Sequence, residues 1–227
     1  MTKRSLGFTY QLAAQVNRVA CRILYKVHSL SLTPFPEHGP VILVSDHSSY
    51  SDPLVLAAMT RRPVTFLVAS NIFQLPGVRW LFQTFHYISV SRGKQDWKAL
   101  RSMLRALEQR EVLGIFPEGG IDEFRADEGH PGVGYLALKT GAPVVPVSIW
   151  WNEVRPLHLL QSLITPGKAT VCFGTPFRLP AVSRPSRVQI HAATARIMQA
   201  IQELKDSTGI RTLNTSSLLA CSRTENM

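Results

Sequence analysis

Short apolar runs alternate with helix-like stretches through the middle of this 227-residue chain, and that alternation constrains the fold more than any other feature. Residues 41–44, 63–68, 87–90, 112–116 and 143–150 are runs of largely β-branched and aliphatic residues, each bounded by turn residues and short enough for a strand. Between them, 53–60, 71–85, 94–109 and 134–140 read as helices. In the third of these, Trp97, Leu100, Met103, Leu104 and Leu107 make one apolar face, with Lys98, Arg101 and Arg105 opposite. Strands that alternate with helices pair in parallel through right-handed crossovers. The expected fold is therefore α/β: one domain, a mostly parallel sheet with helices on both faces, preceded by an N-terminal amphipathic helix. A further strand is expected at 169–173, stopped by Gly174. A closing helix over 185–204 carries Ile190, Ala193, Ile197, Ile201 and Leu204 at helical intervals.

The ends differ from this middle. Residues 1–34 contain no acidic side chain, the first being Glu37, while Lys3, Arg4, Arg18, Arg22 and Lys26 supply five of the positive charges in a chain of net charge +10. Phe8, Leu12, Val16, Val19, Ile23, Leu24 and Val27 follow helical spacing, and Gln11, Gln15, Arg18, Arg22 and Lys26 line a second face. A basic amphipathic helix of this kind suits the headgroup region of an anionic membrane; it also suits a first helix packed on its own domain with its charges in water. Residues 35–205 form the expected domain. The polar, Ser- and Thr-rich stretch 206–227 is expected to be a disordered tail.

The charge surplus admits nucleic acid, an anionic membrane or an anionic substrate as partner. No recognisable nucleic-acid motif or aromatic stacking platform accompanies the basic residues, so nucleic acid is not expected. Cys21, Cys172 and Cys221 are odd in number and without CxxC spacing. They point to a reducing compartment and to neither a disulfide framework nor a metal site. No stretch has the roughly 18 consecutive apolar residues of a membrane span, and the N-terminus lacks a signal peptide's apolar core. The expected location is peripheral, on the cytoplasmic face of a membrane.

In open α/β sheets, ligands bind in the loops at the carboxyl ends of strands. The loop after the first run, Ser45 to Pro53, places His47 and Asp52 five residues apart. A carboxylate there can fix one imidazole nitrogen and leave the other basic; as a plain alternative, Asp52 caps a helix and His47 is an ordinary loop residue. Asp46, next to His47, is a competing carboxylate. Phe116-Pro117-Glu118-Gly119-Gly120 ends the fourth run with paired glycines that let backbone N–H groups approach a ligand, or else forms only a tight turn capped by Glu118. Arg92, after the third run, can clamp phosphate or carboxylate oxygens, or is one solvated arginine among many.

Together these blocks carry a resemblance. His47 to Asp52 (HSSYSD) resembles the H-x4-D block of the glycerolipid acyltransferase family, typified by 1-acylglycerol-3-phosphate acyltransferases. Ser89 to Arg92 (SVSR) is similar to the end of its second block, Phe116 to Gly120 (FPEGG) to its F-P-E-G block, and Ala142 to Ile149 (APVVPVSI) to its V-P-V strand. Order and spacing agree across residues 35–177. Four departures stand out: His86 where Gly is usual, Ser91 for Asp, Gly120 for Thr or Ser, and Ile121 for the Arg that helps hold the acceptor's phosphate in the family.

The resemblance implies an O-acyltransferase that moves a fatty acyl group from acyl-CoA or acyl carrier protein, as co-substrate, to the hydroxyl of a lysolipid. It implies no further cofactor and no metal. His47 is the implied general base and Asp52 its orienting partner. Arg92, Glu118, Gly119 and Gly120 bind substrate, with backbone N–H groups near Gly119 and Gly120 available to the oxyanion. Ile121 leaves the acceptor's head group open. Two rivals remain at this point: a membrane-associated thioesterase or lysolipid hydrolase using the same His–Asp pair, and a membrane-binding module that has lost catalysis.

Overall fold

The strand β2 (Val41–Ser45) is buried along its whole length, and it lies at the centre of a seven-stranded sheet. The computed structural model describes residues 8–31, 33–74, 79–91, 96–121, 128–156 and 158–207. Along the chain the elements are α1 (Phe8–Leu24), β1 (His28–Ser31), β2, α2 (Asp52–Met59), β3 (Val64–Ala69), α3 (Ser70–Phe73), α4 (Arg79–Thr84) and β4 (Ile88–Val90). There follow α5 (Trp97–Glu108), β5 (Val112–Ile115), α6 (Gly132–Thr140), β6 (Val144–Trp151), α7 (Leu159–Ile164), β7 (Ala169–Phe173) and α8 (Arg187–Ser207).

The strands lie in the order β1-β7-β6-β2-β5-β3-β4, and every pairing is parallel except that of β6 with β7. Helices cover both faces, and the two-residue period of β2 shows how. Val41 and Leu43 pack with Val55 and Leu56 of α2 and Cys21 of α1. Ile42 and Val44 pack with Leu107 of α5, Val133 and Leu136 of α6 and Ile197 of α8. A strand covered on both sides reads as an unbroken apolar run, which is why VILVS shows no alternation.

At the N-terminus the chain departs from expectation. Helix α1 ends at Leu24, and Lys26 takes a φ of 40°, a left-handed turn that closes the helix and leads into the edge strand β1. Segment 1–34 thus holds a strand as well as a helix, and Val27 lies outside the helical stripe. Of the two orientations left open by the sequence, the helix takes the one that turns its large apolar stripe outward. Its small side packs inward: Cys21 is buried, Ala13 and Asn17 are half-buried, and Asn17 Nδ2 donates to the Leu54 carbonyl of α2 at 2.9 Å. Arg18, on the second, basic face, is half-buried and donates to the Thr60 carbonyl at 3.4 Å. The large residues Phe8, Leu12, Val16, Val19 and Ile23 face outward, between 53% and 79% exposed.

The stretch expected as one helix over 71–85 is two short ones, α3 and α4, with 75–78 outside the described residues. The closing helix runs further than expected, to Ser207; residues 208–227 of the expected tail also lie outside the described set.

Candidate active site

The loop from β2 to α2 turns so that residues 46 and 47 continue the strand's alternation. Asp46 goes to the α8 side and His47 to the opposite side, against Phe116. His47 Nδ1 lies 2.9 Å from Asp52 Oδ2. The same Oδ2 accepts from the backbone N–H of Ser48 at 2.7 Å and of Ser49 at 2.8 Å, while Oδ1 accepts from Trp151 Nε1 at 2.8 Å. Asp52 is fully buried, so these four donors are what makes a carboxylate tolerable there. Oδ2 already accepts from two backbone N–H groups and acts as an acceptor here, so in this arrangement Nδ1 of His47 bears the hydrogen of the shared bond, which leaves Nε2 as the acceptor nitrogen. The His47 side chain is 14% exposed, enough to meet a substrate.

The imidazole is held from the side as well. The Phe116 ring stacks on it with centroids 4.2 Å apart and planes 21° from parallel. Phe66 in turn stacks on Phe116 at 5.9 Å. That row depends on Gly114: a Cβ at this position would lie 2.4 Å from the Phe66 ring. Glu118, buried, accepts from the His47 backbone N–H through Oε2 at 3.3 Å, which joins the FPEGG turn to the histidine loop. In that turn Gly119 has a φ of 77° and gives its N–H to the Phe116 carbonyl at 3.0 Å. Gly119's own donor is thus spent within the turn. Gly120 is buried beside it. A Cβ on Gly119 would also meet His130 Nε2 at 2.4 Å, so the glycine admits a second imidazole to the rim of the site.

The buried loop serines, Ser49 and Ser51, are structural. Ser49 Oγ lies 2.9 Å from Ser162 Oγ, and Ser51 Oγ lies 2.8 Å from the Ser162 carbonyl, to which it donates, and 3.1 Å from Tyr25 Oη. Ser162 belongs to α7, an element with no sequence signal. A buried arginine clamps that helix: Arg155 donates to the carbonyls of Ser162 (2.6 Å), Thr165 (2.9 Å) and Pro166 (3.1 Å), with its guanidinium 4.3 Å above the Trp151 ring. Trp151 therefore touches both the His47–Asp52 pair, through Nε1, and the clamp that supports it.

Of the sequence-predicted site residues, the structure brings His47, Asp52, Glu118, Gly119 and Gly120 together. Arg92 lies in 92–95, outside the described residues. Asp46 does not reach the imidazole side: it is bound by Lys205 Nζ at 2.9 Å and by the Ile149 N–H at 3.2 Å. Trp151, Phe116 as a stacking partner, and the Ser162–Arg155 support were not anticipated. The one available cue for Trp151 was its place at the carboxyl end of a central strand. Among the described residues no group of three or more His, Cys, Asp or Glu is placed to hold a metal ion, and no helix is long and apolar enough to cross a membrane.

Known proteins share this architecture. A solved 1-acyl-sn-glycerophosphate acyltransferase from Thermotoga maritima superposes with a TM-score of 0.62, covering 89% of this chain and 84% of that one at 19% identity, a likeness of fold. A curated relative in Bacillus subtilis, 1-acyl-sn-glycerol-3-phosphate acyltransferase, is 21% identical over 202 residues, 87% of this chain and 97% of that protein. The chloroplastic 1-acyl-sn-glycerol-3-phosphate acyltransferase BAT2 of Brassica napus is 25% identical over 129 residues, 55% of this chain and 37% of its own. The acyltransferase family profile matches residues 26–150, more than half of the chain and the span that contains both His47 and Glu118. The chain belongs to the acyltransferase family.

Proposed function

We propose that the protein transfers a fatty acyl group from an acyl thioester, acyl-CoA or acyl carrier protein, to the free hydroxyl of a lysolipid such as 1-acylglycerol-3-phosphate. The observation that carries this reading is the His47–Asp52 pair, its carboxylate held by four donors and its imidazole clamped by Phe116. His47 Nε2 takes the hydroxyl proton as the oxygen attacks the thioester carbonyl. The carbon–sulfur bond then breaks, and the imidazolium returns its proton to the departing thiolate. Fixing Asp52 beforehand keeps the base oriented without reorganisation during the reaction. The buried loop serines already have partners and sit in no nucleophile elbow, which favours direct transfer over an acyl-enzyme. Glu118 places the acceptor by bracing the His47 turn, Gly120 supplies the oxyanion N–H, and Arg92 binds the head group.

The acceptor is met at a membrane surface, at its cytoplasmic face. The outward stripe of α1, Phe8, Leu12, Val16, Val19 and Ile23, is flanked by exposed Arg22 and Lys26 in a segment without acidic residues. Leu160 and Ile164 of α7 extend this apolar surface, 75% and 71% exposed, where Tyr25 Oη donates to the Leu163 carbonyl and Gly167 N–H to that of Leu24. Purified protein given acyl-CoA and 1-acylglycerol-3-phosphate in vesicles is expected to yield diacylglycerol phosphate and free coenzyme A in equal amounts. Free fatty acid in place of the diacyl product would make the protein a hydrolase. Vesicle binding without turnover on any lysolipid would make it a lapsed module.

A further inference from the structure

Among the described residues, Asp46 is a carboxylate beside the base that the proposed reaction leaves unused. It is 8% exposed, and it occupies the residue next to His47 on the opposite side of the loop. Four groups surround it, one from each neighbouring element. Lys205 Nζ, from the last turn of α8, is 2.9 Å from Oδ2. The Ile149 N–H of β6 reaches Oδ1 at 3.2 Å, taking the place of a ladder partner where β2 has ended. Ser45 Oγ of β2 lies 3.5 Å from Oδ1, and the Asp52 carboxylate of α2 adds a repulsive charge. Burial pushes the Asp46 carboxyl above its ordinary value, with Lys205 and Ile149 opposing that rise. Helix α8 is seated firmly enough to deliver the lysine: Thr194 packs against Gly134, Met198 against Gly129, and Ile197 and Ile201 enter the core.

We propose that Lys205 is a positioning residue for acyl transfer. By pairing with Asp46 it holds that carboxylate on the α8 face, so that Asp52 alone orients His47, and it ties the seating of the C-terminal helix to the geometry of the base. This rests on the assignment of His47 as base. Without the lysine, Asp46 is left buried with backbone N–H and hydroxyl donors only. It must then take up a proton or turn toward water, and either change drags residue 47 with it. Asn at position 46 keeps an oxygen for the Ile149 N–H while removing the charge that needs a partner.

The test is steady-state transfer from acyl-CoA to 1-acylglycerol-3-phosphate by full-length wild type, Lys205→Met, Lys205→Arg and the double variant Lys205→Met/Asp46→Asn, each as a pH profile. Lys205→Met is expected to lose about tenfold or more in kcat with little change in KM, and to move the acid limb of its profile. Lys205→Arg and the double variant are expected to stay within about threefold of wild type and to keep its profile. Wild-type kcat and profile in Lys205→Met, or a double variant no better than the single one, would overturn the proposal. His47→Ala, run alongside, reports on the base itself: full transfer by that variant counts against the base, whereas the Lys205 comparison is read among proteins that retain His47.

Discussion

Trp151 Nε1 donates a 2.8 Å hydrogen bond to Asp52 Oδ1 from the far end of β6, 99 residues along the chain. It occupies the oxygen that His47 does not use, so the carboxylate cannot rotate without breaking a bond. A hydrogen bond to a buried charge contributes about 1.5–3 kcal/mol, and leaving Oδ1 unpaired costs a similar amount. Trp151→Phe keeps an aromatic ring at this position, removes that donor and loses part of the buried indole. It is expected to lose about 2 kcal/mol of stability in urea unfolding and about tenfold in kcat, with KM nearly unchanged.

Gly114 has no turn to make; its role is space. With its Cβ position 2.4 Å from the Phe66 ring and 2.8 Å from Val64 Cγ1, any side chain there must displace the ring row that ends on His47. Gly114→Val is expected to destabilise the domain by about 1–3 kcal/mol, as overpacked cores do. Turnover should fall by more than the folded fraction does, checked by comparing activity with near-UV circular dichroism.

The outward apolar stripe of α1 gives a binding prediction. Val16→Glu/Val19→Glu places two carboxylates on the outward stripe, at positions 60% and 53% exposed, and touches no core contact. Co-sedimentation with vesicles containing anionic lipid is expected to fall at least about tenfold, with the thermal midpoint kept. Unchanged sedimentation would remove α1 from the membrane surface.

Asp46 predicts how stability varies with pH. Its folded value lies above its ordinary one, so the native state binds the proton more tightly than the unfolded chain does. Stability from this group is therefore present at low pH and is lost as pH rises through the interval between the two values. Asp46→Asn removes that loss. Denaturant midpoints are expected to favour the variant over wild type more at about pH 7 than at about pH 4.

Much of this was legible in the residues, for physical reasons that differ by element. Strands β2 and β5 are buried on both faces and so announce themselves as apolar runs. The His47–Asp52 spacing is local, set by one loop and the first turn of α2, so a short motif carries it. Edge strand β1 (HSLS) has no buried residue; its ladder to β7, with His28 opposite Thr170, makes it a strand. Helix α7 is six residues long and held by Arg155 and the loop serines rather than by an apolar stripe. Its support of the site, like those of Trp151 and Lys205, is a contact across 99 to 159 residues, and such pairs leave no local pattern. The direction in which α1 faces was equally hidden, because amphipathic spacing shows that a helix has two sides and not which one meets the core.

The most direct measurement is the rate of diacyl lipid formation by His47→Ala, with acyl-CoA and 1-acylglycerol-3-phosphate supplied in vesicles and folding verified by an unchanged thermal midpoint. Loss of a positioned general base is expected to lower kcat by about 10²–10⁴-fold while vesicle binding stays at the wild-type level. Transfer by the folded variant within about threefold of wild type would contradict the assignment of His47 as the base and, with it, the proposed mechanism.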